Sequence, residues 1–240
     1  MDKKAASISQ LIRKIINKFD LGTVFTLDEF KNVGSRTAVA ATLSRLTSEG
    51  RITRIRRGLY MVPKESRFGP LPPNSDAVVK VLSKQGRKSY ASGATAANKL
   101  GLTTQVPNTI VLTGGVADAD IEIGSIRIKI KAGKSPELKS DIPLMMLLDL
   151  IKGIKKIPDS TLIEAISILK FRVGQLTKKE KLRIVTLALK DKPVVKAILG
   201  AILDELNPEI TGPLYKSLNP LSSYNVGKTG LEFAKKWKIK

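Results

Sequence analysis

An α+β fold is predicted for this 240-residue chain, and three observations predict it. Ile8, Leu11, Ile12, Ile15, Ile16 and Phe19 follow the i, i+3, i+4, i+7 spacing of one helix face. Residues 126–131 read IRIKIK, the strict two-residue alternation of a strand with one face buried. From about residue 141 onward the apolar spacing is helical throughout. Together they predict a small N-terminal module, a mixed α/β region and a C-terminal helical region.

The first helix is expected over 8–19, ended by Asp20-Leu21-Gly22. Thr23-Val24-Phe25 is a short extended stretch. Thr26-Leu27-Asp28-Glu29 has the form of a capping box, which predicts a short helix to Val33 that Gly34 breaks. Ser35 then caps a longer helix ending before Gly50. Residues 52–55 and 59–62 are β-prone and flank Arg56-Arg57-Gly58, a hairpin turn. Residues 63–75, PKESRFGPLPPNS, carry four prolines and read as a linker. The predicted organisation is a module over 1–62, this linker, and a C-terminal domain over 76–240, mixed α/β over 76–140 and mainly helical over 141–240.

In the mixed region a helix is expected over Asp76–Lys84, and Ser92 caps a small-residue helix, Gly93–Leu100. Thr109–Thr113 reads as a strand. Ile121–Ile123 and Ile126–Lys131 pair as a hairpin across Gly124-Ser125. Ile126, Ile128 and Ile130 then face inward, and Arg127, Lys129 and Lys131 make a basic outer face. Beyond lie expected helices Ile142–Lys155, Ser160–Lys170, Lys178–Leu189, Pro193–Leu206 and Lys228–Trp237, with Pro193 suited to a first helical turn.

Composition narrows the chemistry. The chain has no Cys and no His, which removes thiol nucleophiles, disulfides, Cys/His zinc sites and imidazole bases. No apolar run approaches the roughly 20 residues of a membrane span, and the N-terminus has no signal-peptide stretch, so a cytoplasmic protein without a membrane partner is expected. Net charge is +21, from 42 Lys+Arg against 21 Asp+Glu, which calls for a polyanionic partner. Residues 1–62 hold 12 basic and 5 acidic groups, the densest positive charge per residue. Ser167-Ile168-Leu169-Lys170 and Lys228-Thr229-Gly230 imitate serine acyl-enzyme motifs. Tyr224-Asn225 lies only two residues from the second, too near for a cleft built from separate elements. Asp118/Asp120 lack a third ligand, and Asp204/Glu205 read as a solvated helix end. No enzyme, no metal and no cofactor are expected.

Helix, strand, helix, helix and two-stranded wing is the order of a winged helix-turn-helix, whose second helix enters the major groove of double-stranded DNA. That helix, Ser35–Glu49, turns Val39, Leu43 and Leu46 inward and Thr37, Ala41, Ser44 and Ser48 outward, flanked by Ala40 and Arg45. Small side chains bring the backbone close to base edges, where Thr and Ser hydrogen-bond and an Ala methyl meets thymine. Ser35, Arg36 and Thr37 stand at the helix N-terminus, which favours phosphate. In the wing, Arg54, Arg56 and Arg57 are placed for phosphates or a narrow minor groove. Small exposed residues and arginine-rich hairpins also occur on ordinary solvated surfaces.

The segments Val24-Phe25-Thr26, Gly34-Ser35-Arg36-Thr37-Ala38-Val39, Leu43-Ser44-Arg45-Leu46 and Arg57-Gly58-Leu59-Tyr60 resemble the AbiEi-type antitoxins of type IV toxin–antitoxin (abortive infection) systems. Gly69-Pro70-Leu71, residues 92–98 (SGATAAN), residues 101–107 (GLTTQVP) and Ser217-Leu218-Asn219-Pro220-Leu221 extend the resemblance over most of the chain. The resemblance implies a transcriptional autoregulator that represses its own operon at inverted repeats. It also implies a nucleotidyltransferase-type toxin as functional partner and an antitoxic role for the C-terminal part. A stand-alone winged-helix repressor is the alternative.

Overall fold

A computed structural model describes residues 7–67, 69–71, 74, 77–78, 80–81, 89–114, 119–123 and 126–240. The architecture is α+β, with helices and small antiparallel sheets. The chain divides into two compact units. One comprises Met1–Arg87 with Ile121–Ile128, the other Lys88–Asp120 with Lys129–Lys240.

The first unit opens with α1, Ile8–Ile16, started by a Ser7/Gln10 capping box. It is shorter than the expected 8–19. After Ile16 the chain tightens, with Lys18 N–H donating to Ile15 O and Phe19 N–H to Ile16 O, and Gly22 takes φ +84°. Phe19 still reaches the core, its ring 5.2 Å from Phe25. β1, Val24–Thr26, runs into a 3-10 turn, Leu27–Phe30, not the expected α-helix to Val33. The Thr26 hydroxyl accepts from Asp28 N–H, two residues on rather than three, so the turn closes tightly and no capping box forms. α2, Arg36–Ser48, follows its Ser35 cap and ends where Gly50 takes φ +70°.

β2, Thr53–Arg56, and β3, Leu59–Met61, form the hairpin, and β3 lies between β1 and β2 in an antiparallel sheet. The register shifts between Arg54 and Arg56, a bulge that twists the wing. Ile12, Ile16, Phe25, Phe30, Val39, Leu43, Leu46, Ile52, Tyr60 and Val62 make one core under this sheet and two helices. The expected linker, 63–75, contributes a ribbon of β4, Glu65–Ser66, and β5, Gly69–Pro70. The helix expected over Asp76–Lys84 falls largely outside the described residues.

The second unit starts with β6, Tyr90–Ala91, α3, Gly93–Lys99, and β7, Thr109–Thr113. The Ser92 hydroxyl makes no cap to α3. It accepts from Thr113 Oγ1 at 2.8 Å across the β6–β7 pair. β8, Ala119–Ile123, and β9, Ile126–Lys131, follow, and their residues Ile121–Ile128 belong to the first unit. The Gly124-Ser125 turn and the Ile126 side chain lie outside the described residues. Ile128 and Ile130 are buried, and Arg127 is exposed. The outer face is not simply basic, because Arg127 pairs with Glu122 and Lys129 lies 4.0 Å from Asp120.

α4, Asp141–Lys152, is apolar nearly all round and sits inside the helical core, as such a helix must. Around it pack α5, Leu162–Gly174, α6, Lys178–Ala188, and α7, Pro193–Leu206. Capping boxes Thr161/Glu164 and Thr177/Glu180 start α5 and α6, so α5 begins at Leu162 rather than the expected Ser160. Pro193 occupies the first turn of α7. Arg183 on α6 holds buried Asp141 through two 2.8 Å bonds, and its guanidinium keeps the Asp141 carboxyl below the usual range. A short α8, Gly212–Lys216, follows.

The helix expected over Lys228–Trp237 does not form. Gly227 and Gly230 take φ +106° and +70°, and the segment folds as successive turns beside a Tyr224–Ile239 bridge. Tertiary anchoring decides this: fully buried Trp237 donates its indole N–H to Asp204 at 2.6 Å, while Lys236 and Thr211 bind the same carboxylate. Asp204/Glu205 are therefore no solvated helix end. Burial pushes the Asp204 carboxyl up, and the bonds from Lys236, Trp237 and Thr211 more than reverse it. The Glu205 side chain is covered and pairs with Lys170.

Candidate nucleic-acid interface

Local chain geometry brings the helix and wing of the first unit side by side. Ser35 sits in extended backbone at the start of α2, and its hydroxyl accepts from Ala38 N–H at 3.3 Å. That bond commits the hydroxyl to capping and leaves the first turn to Arg36 and Thr37, both exposed, with no acidic residue among them. Positive partial charge at this helix end is thus unopposed.

Val39, Thr42, Leu43 and Leu46 fix α2 on the core, with Thr42 adding a hydroxyl bond to Ala38 O at 3.0 Å. The opposite face carries Thr37, Ala41, Ser44, Arg45 and Ser48 into solvent. Beside it the turn at Gly58, φ +80°, folds β2 back onto β3. Between helix and wing lies a groove of about 370 Å³. Arg36 and Thr37 line it from the first helical turn, Ala40 and Ser44 from the next two, and Arg54 and Arg57 from the wing. No acidic side chain lines it.

Five of the sequence-predicted residues thus meet in one groove: Arg36, Thr37, Ser44, Arg54 and Arg57. Ala41 and Arg45 are exposed on α2 outside it, and Ser35 is its cap. Arg56 is not at an open tip. It is half-buried with its Nε enclosed, follows the register shift in β2, and does not line the groove. Leu27 and Tyr60 also line the groove, as does Ala40, which the sequence places on the flank of the outward face. Ala40 lies three residues after Thr37 and four before Ser44, a helical spacing that marks the same face. At the far end of α2, Arg13 donates to Glu49 at 2.7 Å and holds that carboxyl below its usual range, tying α1 to α2.

Among the described residues no three acidic side chains gather as a metal site, and no helix is long and apolar enough to cross a membrane. Asp118 lies outside the described residues. Ser167 spends its hydroxyl on Ile163 O within α5, and Lys170 pairs with Glu205.

The match that decides the family spans residues 11–185, from α1 through most of α6. The chain belongs to the family of unknown function DUF6088. The DUF6088 match includes the whole helix–wing groove. No functionally curated protein matches the chain. The fold is similar to that in the crystal structure of the RV2827C protein from Mycobacterium tuberculosis, with a TM-score of 0.52 at 11% identity, covering 90% of this chain and 83% of that one. The likeness carries the α+β architecture of this DUF6088 protein and nothing further.

Proposed function

We propose that this DUF6088 protein is a non-enzymatic, cytoplasmic transcriptional autoregulator that binds double-stranded DNA through its winged helix-turn-helix. The single observation that carries the reading is the groove in which Arg36, Arg54 and Arg57 lie with Thr37 and Ser44 and which no acidic side chain lines. Three guanidinium groups suit the repeated charge of a phosphate backbone, and two hydroxyls on the exposed face of α2 suit base edges.

The resemblance to AbiEi-type antitoxins extends the proposal. In it, the protein represses its own operon at inverted repeats and counters a nucleotidyltransferase-type toxin.

Two experiments test this. Fluorescence anisotropy with duplexes from upstream of the protein's own gene, against scrambled duplexes, should show tighter binding to the former. It should also show a steep fall of affinity with salt. Equal and salt-independent affinities would refute DNA readout. Co-expression with the neighbouring gene should restore growth if that gene encodes the toxin. Growth arrest unrelieved by this protein would refute the antitoxin role and leave the DNA result standing.

A further inference from the structure

The second unit holds a cavity of about 710 Å³ that the DNA-binding reading does not use. It opens between the β6–β7 edge, the middle of α4, the end of α6 and the loop after β9. Its size is that of a pocket for a small organic ligand. We propose that this cavity binds a nucleoside 5′-phosphate, with Lys131 and Lys152 on the phosphate, Asp149 and Asp191 on the ribose hydroxyls, and the apolar wall against the base.

Each part of the ligand answers a part of the lining. Lys131 and Lys152 have exposed ammonium groups and no acidic partner among the described residues, so they are placed to take a phosphate. A third lysine, Lys190, is already paired with Glu137 at 3.2 Å. Asp149 accepts from Gly93 N–H at 3.0 Å through one oxygen, which fixes the carboxylate in the cavity wall. Asp191 accepts from Lys192 N–H through Oδ1 and also lines the cavity. A carboxylate accepts only, so this pair selects ligand groups that donate, as vicinal hydroxyls do.

Tyr90 supports the same reading. It is nine-tenths buried, lines the cavity and has no hydrogen-bond partner among the described residues. Burial first, then the charges of Asp149 and Asp191, push its phenol well above the ordinary range, so the hydroxyl stays protonated and donates. A hydroxyl that lines the cavity without a protein partner is free to donate to a ligand acceptor. Met145, Leu148 and Leu187 supply the apolar wall that a planar base requires. A lining that combines lysines, carboxylates, a phenol and apolar side chains does not suit a simple anion.

The test is calorimetric titration of the full-length protein at physiological salt with AMP, GMP, CMP and UMP, and with adenosine and inorganic phosphate as partial ligands. At least one mononucleotide should bind with Kd below about 100 μM, and adenosine and phosphate at least about tenfold more weakly. Lys131→Ala with Lys152→Ala should weaken the nucleotide about tenfold or more, and Tyr90→Phe by a smaller factor. Both lysines are exposed, so their removal leaves the fold intact, and Asp191→Asn should weaken binding without altering thermal unfolding. Arg36→Ala with Arg57→Ala should change nothing. Failure of all four nucleotides to bind by about 1 mM would overturn the proposal. So would phosphate binding as tightly as nucleotide, or binding that follows Arg57 instead of Lys131.

Discussion

The two units present concave surfaces of opposite character. The groove of the first is built from one contiguous stretch between Leu27 and Tyr60, and every charged side chain that lines it is an arginine. The cavity of the second is about twice as large, gathers residues from Tyr90 to Asp191, and mixes lysines, carboxylates and apolar side chains. A surface whose charges are all positive suits a polymer with a repeated negative charge. A surface of mixed charge with apolar walls suits a small molecule whose ends differ. The cores differ too. The first packs Phe25 against Phe19, Phe30 and Tyr60, whereas the second is almost wholly aliphatic and closes over one tryptophan.

The largest expected effect would separate the units. Gly200 on α7 lies against the Trp237 ring so closely that a Cβ there would run into it. Gly200→Ala should destabilise the second unit by about 3 kcal/mol, at the upper end for overpacking. Thermal unfolding followed by the lone Trp237 should shift down, while anisotropy at low temperature should show duplex binding retained. Loss of duplex binding in a variant whose second unit alone has melted would break the division of labour.

Next comes the groove itself. Replacing Arg36, Arg54 and Arg57 together with Ala should weaken all duplexes by about 30-fold, about 2 kcal/mol. The salt slope should become shallower by up to about 3 units if each contacts phosphate. An unchanged slope would place the phosphates elsewhere.

The buried carboxylates of the second unit should shape the acid limb of stability. The folded carboxyls of Asp141 and Asp204 lie below their usual range. Their contribution is present above the unfolded carboxyl value, near pH 4, and is lost as pH falls through the lower folded values. Asp141→Asn should therefore lower stability at neutral pH and flatten the decline below pH 4, as read by denaturant midpoints across pH. An unaltered acid limb would show that the Asp141–Arg183 pair contributes nothing to it.

The smallest effect sharpens the reading of bases. Thr37→Ala or Ser44→Ala should cost about 1 kcal/mol on the preferred operator and little on scrambled DNA. Equal losses on both duplexes would make these hydroxyls phosphate contacts instead.

Much of the first unit was legible because its determinants are local. The Ser35 cap, the Val39–Leu43–Leu46 stripe and the glycine turn at Gly58 each act within a few residues, and the groove lies between neighbouring elements. Arg36, Thr37, Ser44, Arg54 and Arg57 were therefore placed by spacing alone. Arg56 does not line the groove, and the register shift that precedes it is a property of the pairing with β3 that spacing does not show. Further along the chain, helical periodicity located α4 through α7, but not their neighbours in space.

By itself the sequence determined the α+β class, the order of most elements, the absence of thiol and imidazole chemistry, and the basic groove between helix and wing. These depend on residue type and on periods of two to four residues. Only the tertiary structure decided that Lys228–Trp237 folds as turns, that Asp204 and Trp237 bond 33 residues apart, and that Tyr90, Lys131, Asp149 and Asp191 enclose one cavity. A cavity is the space that packed elements leave between them. Its lining is set by which helices and strands meet, a consequence of burying the whole apolar surface that no short window of sequence contains.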